Sequence, residues 1–180
     1  MHMHTLPRTF YFTRHGQSEY NELGKIGGDS GLSVNGEEYA RRLAKFAHDV
    51  IGKDKFTNEH GEEVEVTRPA RLWTSTLRRT QETAKFIKHI EFEAKWDNGD
   101  IGKWVQFRPM PRRNLDEIYA GVCDGMTYKE IEYQYPDEFA RRQDHKLAYR
   151  YPRGQYTKCV CLQGLAHETF LRFRYIQISR

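Results

Sequence analysis

Cysteine is scarce in these 180 residues: Cys123, Cys159 and Cys161 are the three, too few and too irregularly placed for a paired framework. Disulfide stapling is therefore not what holds the chain, and a reducing, cytoplasmic setting is expected. Long apolar runs are missing too, so no membrane span is expected. Met1-His2-Met3-His4 starts no signal-peptide pattern. No loop of the Gly…Gly-Lys-Ser/Thr type occurs, which removes the usual nucleotide cradle. No His, Cys, Asp and Glu set has metal-ligand spacing, so neither a metal nor another cofactor is expected, and His2 and His4 read as a solvated tail. What is present is a soluble globular composition, 30% charged and 38% hydrophobic, long enough for one domain with a core. A net charge of +4 suits a small anionic substrate. The charge is too diffuse, and aromatic platforms too few, to argue for nucleic acid.

The stretch with the most chemistry is Thr13-Arg14-His15-Gly16-Gln17-Ser18. Before it, Thr9-Phe10-Tyr11-Phe12 is aromatic and β-branched, as a buried strand requires. A strand ending in Arg-His-Gly delivers an imidazole to a sheet edge, where α/β folds bind ligands. A neutral imidazole is a competent nucleophile near neutral pH. Arg14 offers a planar charged fork to phosphate oxygens. The chemistry implied is a histidine that accepts a phosphoryl group. A surface turn that happens to contain Arg and His is the alternative.

Downstream, Ser33 is placed to cap a helix whose apolar face is Tyr39, Leu43, Phe46, Ala47 and Val50, ended by Gly52. Residues 53–69 read as a loop or small hairpin, and 70–74 as a second strand. Ser75 then caps a helix whose first turns carry Arg78 and Arg79. Cations at a helix start are mildly unfavourable, which favours a bound anion there over solvated arginines. Residues 91–103 read as a loop and 104–108 as a strand. Glu117 has apolar neighbours and is either a poorly solvated proton donor or an ordinary exposed carboxylate. Thr127-Tyr128-Lys129-Glu130 is a capping box opening a short helix, and Pro136 opens the next. Arg142 and Lys146 are spaced to share a helix face. With Tyr128 they form either a second phosphate site or a solvated surface.

These residues resemble the histidine phosphatase superfamily, which includes the phosphoglycerate mutases. The likeness lies in Thr13-Arg14-His15-Gly16 with Asn21, in the 24–33 run (where Lys25 replaces a common arginine), in Leu72-Trp73-Thr74-Ser75 with Arg79-Thr80, and in 115–154. Within that superfamily it is similar to the fructose-2,6-bisphosphatase half of bifunctional 6-phosphofructo-2-kinase/fructose-2,6-bisphosphatases. The resemblance implies an α/β fold, a mostly parallel sheet flanked by helices of phosphoglycerate mutase type, over residues 9–154. It implies hydrolysis of the 2-phosphate of fructose 2,6-bisphosphate through a phosphohistidine on His15. Glu117 would be the acid, with Arg14 and Arg79 around the phosphoryl group. Arg14, Asn21 and Gly27 would contact substrate, and Tyr128, Arg142 and Lys146 would hold the distal 6-phosphate. The segment 139–142 also resembles one that contacts a nucleotide. A homodimer, as in the family, is allowed.

Past Gly154 the likeness stops. The family continues to an apolar strand ending in Cys-His beside the strand of the first histidine. Here residues 155–180 diverge, and His167 has no apolar strand leading into it. The fold is thus expected to be incomplete at its C-terminus, with 155–180 foreign to the domain, from a shifted frame or an alternative exon. A continuous transcript with no alternative frame encoding the missing strand would overturn that origin. Lost strand pairing would leave the first strand's backbone groups unmatched, with 158–162 a partial substitute. The alternative functions are a catalytically impaired phosphosugar-binding remnant, or another phosphohistidine phosphatase or mutase.

Overall fold

The computed structural model describes residues 8–95, 99–146, 149–155 and the backbone of 171–175. The first strand, β1 (Arg8–Phe12), leads straight to the histidine loop. A short helix α1 (Glu19–Glu22) follows, then α2 (Val34–Phe46), capped by Ser33 Oγ accepting from Gly36 N. The hairpin β2 (Lys53–Thr57) and β3 (Glu63–Thr67) comes next, then β4 (Leu72–Thr74) and α3 (Arg78–Ala84). After these lie β5 (Ile90–Lys95), β6 (Ile101–Gln106) and β7 (Pro109–Pro111). Helices α4 (Tyr128–Gln134) and α5 (Pro136–Asp144) precede β8 (Leu171–Tyr175).

Two ladders are parallel, β1 with β8 and β4 with β7, and two are antiparallel hairpins, β2 with β3 and β5 with β6. The architecture is α/β, with parallel strand pairs and flanking helices. Among the described residues no helix is long and apolar enough to cross a membrane. The core gathers Leu43, Ala44, Ala47, Ile87 and Phe107, with Tyr39, Ile51 and Leu72 packed against it. It therefore clamps the underside of α2 onto the end of α3 and the β4 region. Burial of each large side chain here contributes about 1.5–3 kcal/mol.

Four expectations change. Val50 does not join the core face and is 45% exposed. The chain runs as a π-helical turn from Ala47 to Ile51, with Gly52 N donating to Ala47 O, and the wider i→i+5 spacing rotates Val50 off the stripe. Residues 91–95 and 101–103 are not loop but strand, within the antiparallel pair β5 and β6. Its charged residues face solvent and pair across it, as Lys103 does with Glu91 at 3.2 Å. Ser75 does not cap α3: the N-cap is Leu77, with Ser75 Oγ accepting from Leu77 N at 3.2 Å. Finally, β1 is not left unpaired. The divergent tail supplies β8, parallel to β1 in the register Arg8↔Leu171 to Phe12↔Tyr175. Residues 158–162, Cys159, Cys161, His167, His2 and His4 lie outside the described residues.

The histidine loop lies flush on the first turn of α2. A Cβ on Gly16 would stand 2.5 Å from Gly36 O, and one on Gly36 would run into the Gln17 backbone. Ser33 N donates to Gln17 O at 2.9 Å and closes the seam. Alanine normally improves a helix position held by glycine. Gly36→Ala is expected to do the opposite, lowering stability by ~1–3 kcal/mol because backbone, not a flexible side chain, must move. The urea midpoint measures it.

Candidate active site

His15 sits three residues past β1, in a loop tied to α3. Gly16 N donates to Thr83 Oγ1 at 3.0 Å, and Thr83 Oγ1 donates to Arg79 O at 2.7 Å. The loop carrying the imidazole and the helix carrying the buried arginine are thus one unit. His15 Nδ1 stands 2.7 Å from Gly16 O. A carbonyl only accepts, so Nδ1 carries the hydrogen and Nε2 keeps its lone pair. Burial pulls the His15 pKa below its ordinary value of 6.5; the Gly16 bond opposes this, and the Arg79 and Arg14 charges add to the lowering. At neutral pH the ring is therefore a neutral base with a free Nε2.

Arg79 is 3% exposed, in the first turn of α3. A buried guanidinium is tolerable only when paired and hydrogen-bonded. Its Nη1 donates to Gly28 O at 2.7 Å and its Nη2 to Glu117 Oε2 at 2.5 Å. Arg14, His15, Arg79 and Glu117, with Ser75 and Thr80, line a cavity of about 200 Å³. Its charge comes from two guanidinium groups and one carboxylate, a suitable lining for a phosphoryl group. The Ser75 and Thr80 hydroxyls, 2.7 Å apart, belong to this wall. Sequence reading placed them only as a cap and a family motif. A larger hollow of about 580 Å³, along 138–153, contains none of the His15 group.

One expectation about this cavity is corrected, and one open alternative is decided. The anion at the start of α3 comes from the chain itself. Arg78 N donates to Asp29 Oδ1, and Thr76 N to Asp116 Oδ1, each at 2.6 Å. Glu117 is not enclosed by apolar neighbours: its side chain is 57% exposed and ion-paired to Arg79. The desolvation argument for an acid there fails, and the carboxyl is placed by the guanidinium instead.

The expected substrate contacts divide. Asn21 spends its side-chain oxygen on the capping box of α1, accepting from Ser18 N at 3.1 Å. Gly27 has φ +63, and a Cβ there would collide with the Asp124 carboxylate, whose oxygens both lie 3.1 Å from Gly28 N. Only glycine permits that turn, which aims Gly28 O at Arg79. Lys25 pairs with Thr127 in an isolated antiparallel bridge, docking the glycine loop onto the start of α4. Arg142 meets Tyr128 as expected, Nη2 donating to the phenol oxygen at 2.9 Å with the guanidinium over the ring at 4.8 Å. Lys146 does not share their face. Helix α5 ends at Asp144, and Lys146 lies exposed in the turn beyond.

A comparison with protein families matches residues 10–161 to the histidine phosphatase superfamily (branch 1). The chain belongs to that superfamily. Among curated relatives, the 6-phosphofructo-2-kinase/fructose-2,6-bisphosphatase of Aquarana catesbeiana is 39% identical over 155 residues, 86% of this chain and 26% of the relative. The enzyme of that name from Arabidopsis thaliana is 41% identical over 152 residues, 84% of this chain and 16% of the relative. The fructose-2,6-bisphosphatase of Saccharomyces cerevisiae is 36% identical over 163 residues, 91% of this chain and 29% of the relative. The chain thus spans under a third of the length of each. Among solved structures, Bacillus stearothermophilus YhfR superposes with a TM-score of 0.58 at 23% identity, over 94% of this chain and 74% of its own. A mycobacterial glucosyl-3-phosphoglycerate phosphatase gives 0.53 at 21% identity, over 81% and 55%. These two share the fold. In a histidine phosphatase, the grouping of His15, Arg14, Arg79 and Glu117 in one cavity makes it the candidate active site.

Proposed function

We propose that this histidine phosphatase hydrolyses the 2-phosphate of fructose 2,6-bisphosphate through a phosphohistidine on His15. The observation that carries the reading is the His15 ring itself. Its Nδ1 is committed to Gly16 O, so Nε2 is left as the nucleophile in a cavity walled by Arg14 and Arg79. In the first step the Nε2–P bond forms and the bond from phosphorus to the sugar oxygen breaks. Glu117, displaced from Arg79 by the entering phosphoryl group and protonated from solvent, gives that proton to the sugar oxygen. In the second step water attacks phosphorus, Glu117 takes the water's proton, the N–P bond breaks and inorganic phosphate leaves. Positioning and charge stabilisation carry most of this chemistry. An entering phosphoryl group competes with Glu117 for Arg79 Nη2, which frees the carboxyl to meet the leaving oxygen.

Tyr128 and Arg142 suit the distal 6-phosphate, and the unit responsible is residues 9–154. The reading takes the chain as cytoplasmic, acting on a small phosphosugar rather than on nucleic acid or membrane, with a homodimer as an allowed assembly. Asn21, Gly27 and Lys146 enter it as substrate contacts outside the groups that line the His15 cavity.

Rapid-quench labelling tests this with fructose 2,6-bisphosphate radiolabelled in its 2-phosphate. Expected are transient label on His15, then release of inorganic phosphate and fructose 6-phosphate. Saturable binding with no label would favour the phosphosugar-binding remnant. Label passed to an acceptor sugar rather than water would favour a mutase.

A further inference from the structure

Asp116 stands beside Glu117 but, unlike it, does not line the His15 cavity. Its two carboxylate oxygens take both donors of one residue: Oδ1 from Thr76 N and Oδ2 from Thr76 Oγ1, each at 2.6 Å. Thr76 is itself held, its carbonyl accepting from Gln81 Nε2 at 2.8 Å. Thr76 is also three residues before Arg79, at the entry to α3. A second tie runs nearby, from Arg112 N to Thr74 O at 2.8 Å. The segment carrying Glu117 is therefore clamped at two points to the segment carrying Arg79.

Such a clamp has a consequence for an exposed carboxyl. Glu117 lacks a packed environment to fix it, with more than half its side chain in solvent. It follows a single 3₁₀ turn (Arg113–Leu115), whose C-cap is Asp116 in extended conformation. A three-residue turn with two backbone bonds, Leu115 N to Arg112 O and Asp116 N to Arg113 O, resists little. The bidentate, charge-assisted grip on Thr76 is what sets where the backbone emerges at Glu117. We propose that Asp116 is a positioning residue, locked to Thr76, that holds Glu117 at protonating distance from the leaving oxygen. This inference rests on the phosphohistidine reading and adds to it the part that makes a solvent-exposed acid usable.

The test separates leaving groups. A sugar alkoxide needs a proton from Glu117, whereas nitrophenolate leaves without one. The full chain and its Asp116→Ala and Thr76→Val variants are assayed by rapid quench with fructose 2,6-bisphosphate and with p-nitrophenyl phosphate. For Asp116→Ala, kcat on the sugar is expected to fall ~100-fold, the scale of a misplaced catalytic group, with KM changed less than ~2-fold. Phosphohistidine formation from p-nitrophenyl phosphate should change less than ~3-fold on the same argument. Thr76→Val keeps the backbone donor and should show the same split, reduced to ~10-fold. Asp116→Asn, which still accepts from Thr76 N, should recover most of the loss. Equal losses on both substrates, or none on the sugar, would overturn the inference while a labelled His15 left the phosphatase reading standing. An unaltered chain that labels with neither substrate would overturn both.

Discussion

A His15→Ala chain is expected to form no phosphoenzyme and to release phosphate at a rate reduced on the order of 10⁴-fold or more. The reason is that no other group in the cavity is a neutral nitrogen nucleophile: the remaining lone pairs belong to two hydroxyls and a carboxylate. Arg14 and Arg79 are permanently protonated donors, the Ser75 and Thr80 hydroxyls bond to each other at 2.7 Å, and Glu117 is tied to Arg79. The ring is also held in the attacking tautomer by the Gly16 carbonyl, so its loss removes both nucleophile and orientation. His15→Asn sharpens the test, because an amide can still donate to Gly16 O and fill part of the space. It should fold as the parent does and remain as inactive as the alanine variant. Rapid-quench label measures the first step and free phosphate the second; turnover surviving without label would sink the phosphohistidine mechanism.

Arg79→Ala is expected to lower kcat by ~10²–10³-fold, the usual cost of removing a preorganised donor from developing phosphoryl charge. The change also moves the pH profile. The reactive ring must be neutral, and burial together with the Arg79 and Arg14 charges holds its pKa below 6.5. Activity of the parent chain should therefore persist down through 6.5 and fall only at lower pH. Taking Arg79 away removes a cation and lets water in. Both effects raise the His15 pKa, so the acid limb should shift upward, towards about 6.5. Arg79→Lys should be intermediate in the shift but poor in rate, because one ammonium cannot span both Gly28 O and Glu117. A stability loss of ~1–3 kcal/mol is expected for Arg79→Ala, from the Gly28 carbonyl left without its donor. An unmoved acid limb would show that the two groups do not share a site.

The chain's elements differ in how plainly they announce themselves. The capping box of Thr127 and Glu130, the break at Pro136 and the Ser33 cap are local chemistry, and each forms where the pattern places it. The β5–β6 hairpin hid behind its charge: its packed face, Phe92, Ala94, Trp104 and Gln106, alternates with charged or exposed residues and includes a polar side chain, which weakens the hydrophobic signal. Strand β8 did leave a trace, the period-two alternation Leu171-Arg172-Phe173-Arg174-Tyr175. Only pairing against β1 turns that trace into a strand. Lys146 missed its expected face because α5 ends two residues earlier, a boundary that spacing alone does not mark.

Residue type and order alone determined which groups could do the chemistry: an imidazole after an apolar strand, a glycine turn, arginines at a helix start, and an acid near 117. These are properties of single side chains and their near neighbours. Tertiary structure decided which of them meet. It brought Glu117 onto Arg79 across 38 residues and Gly28 onto the same guanidinium across 51, and it used Asp29 and Asp116 to quench the helix start. It also decided between the two surroundings that sequence left open for the acid, in favour of the exposed one. Such pairings depend on backbone paths closing in space, and no local pattern encodes the distance between two loops.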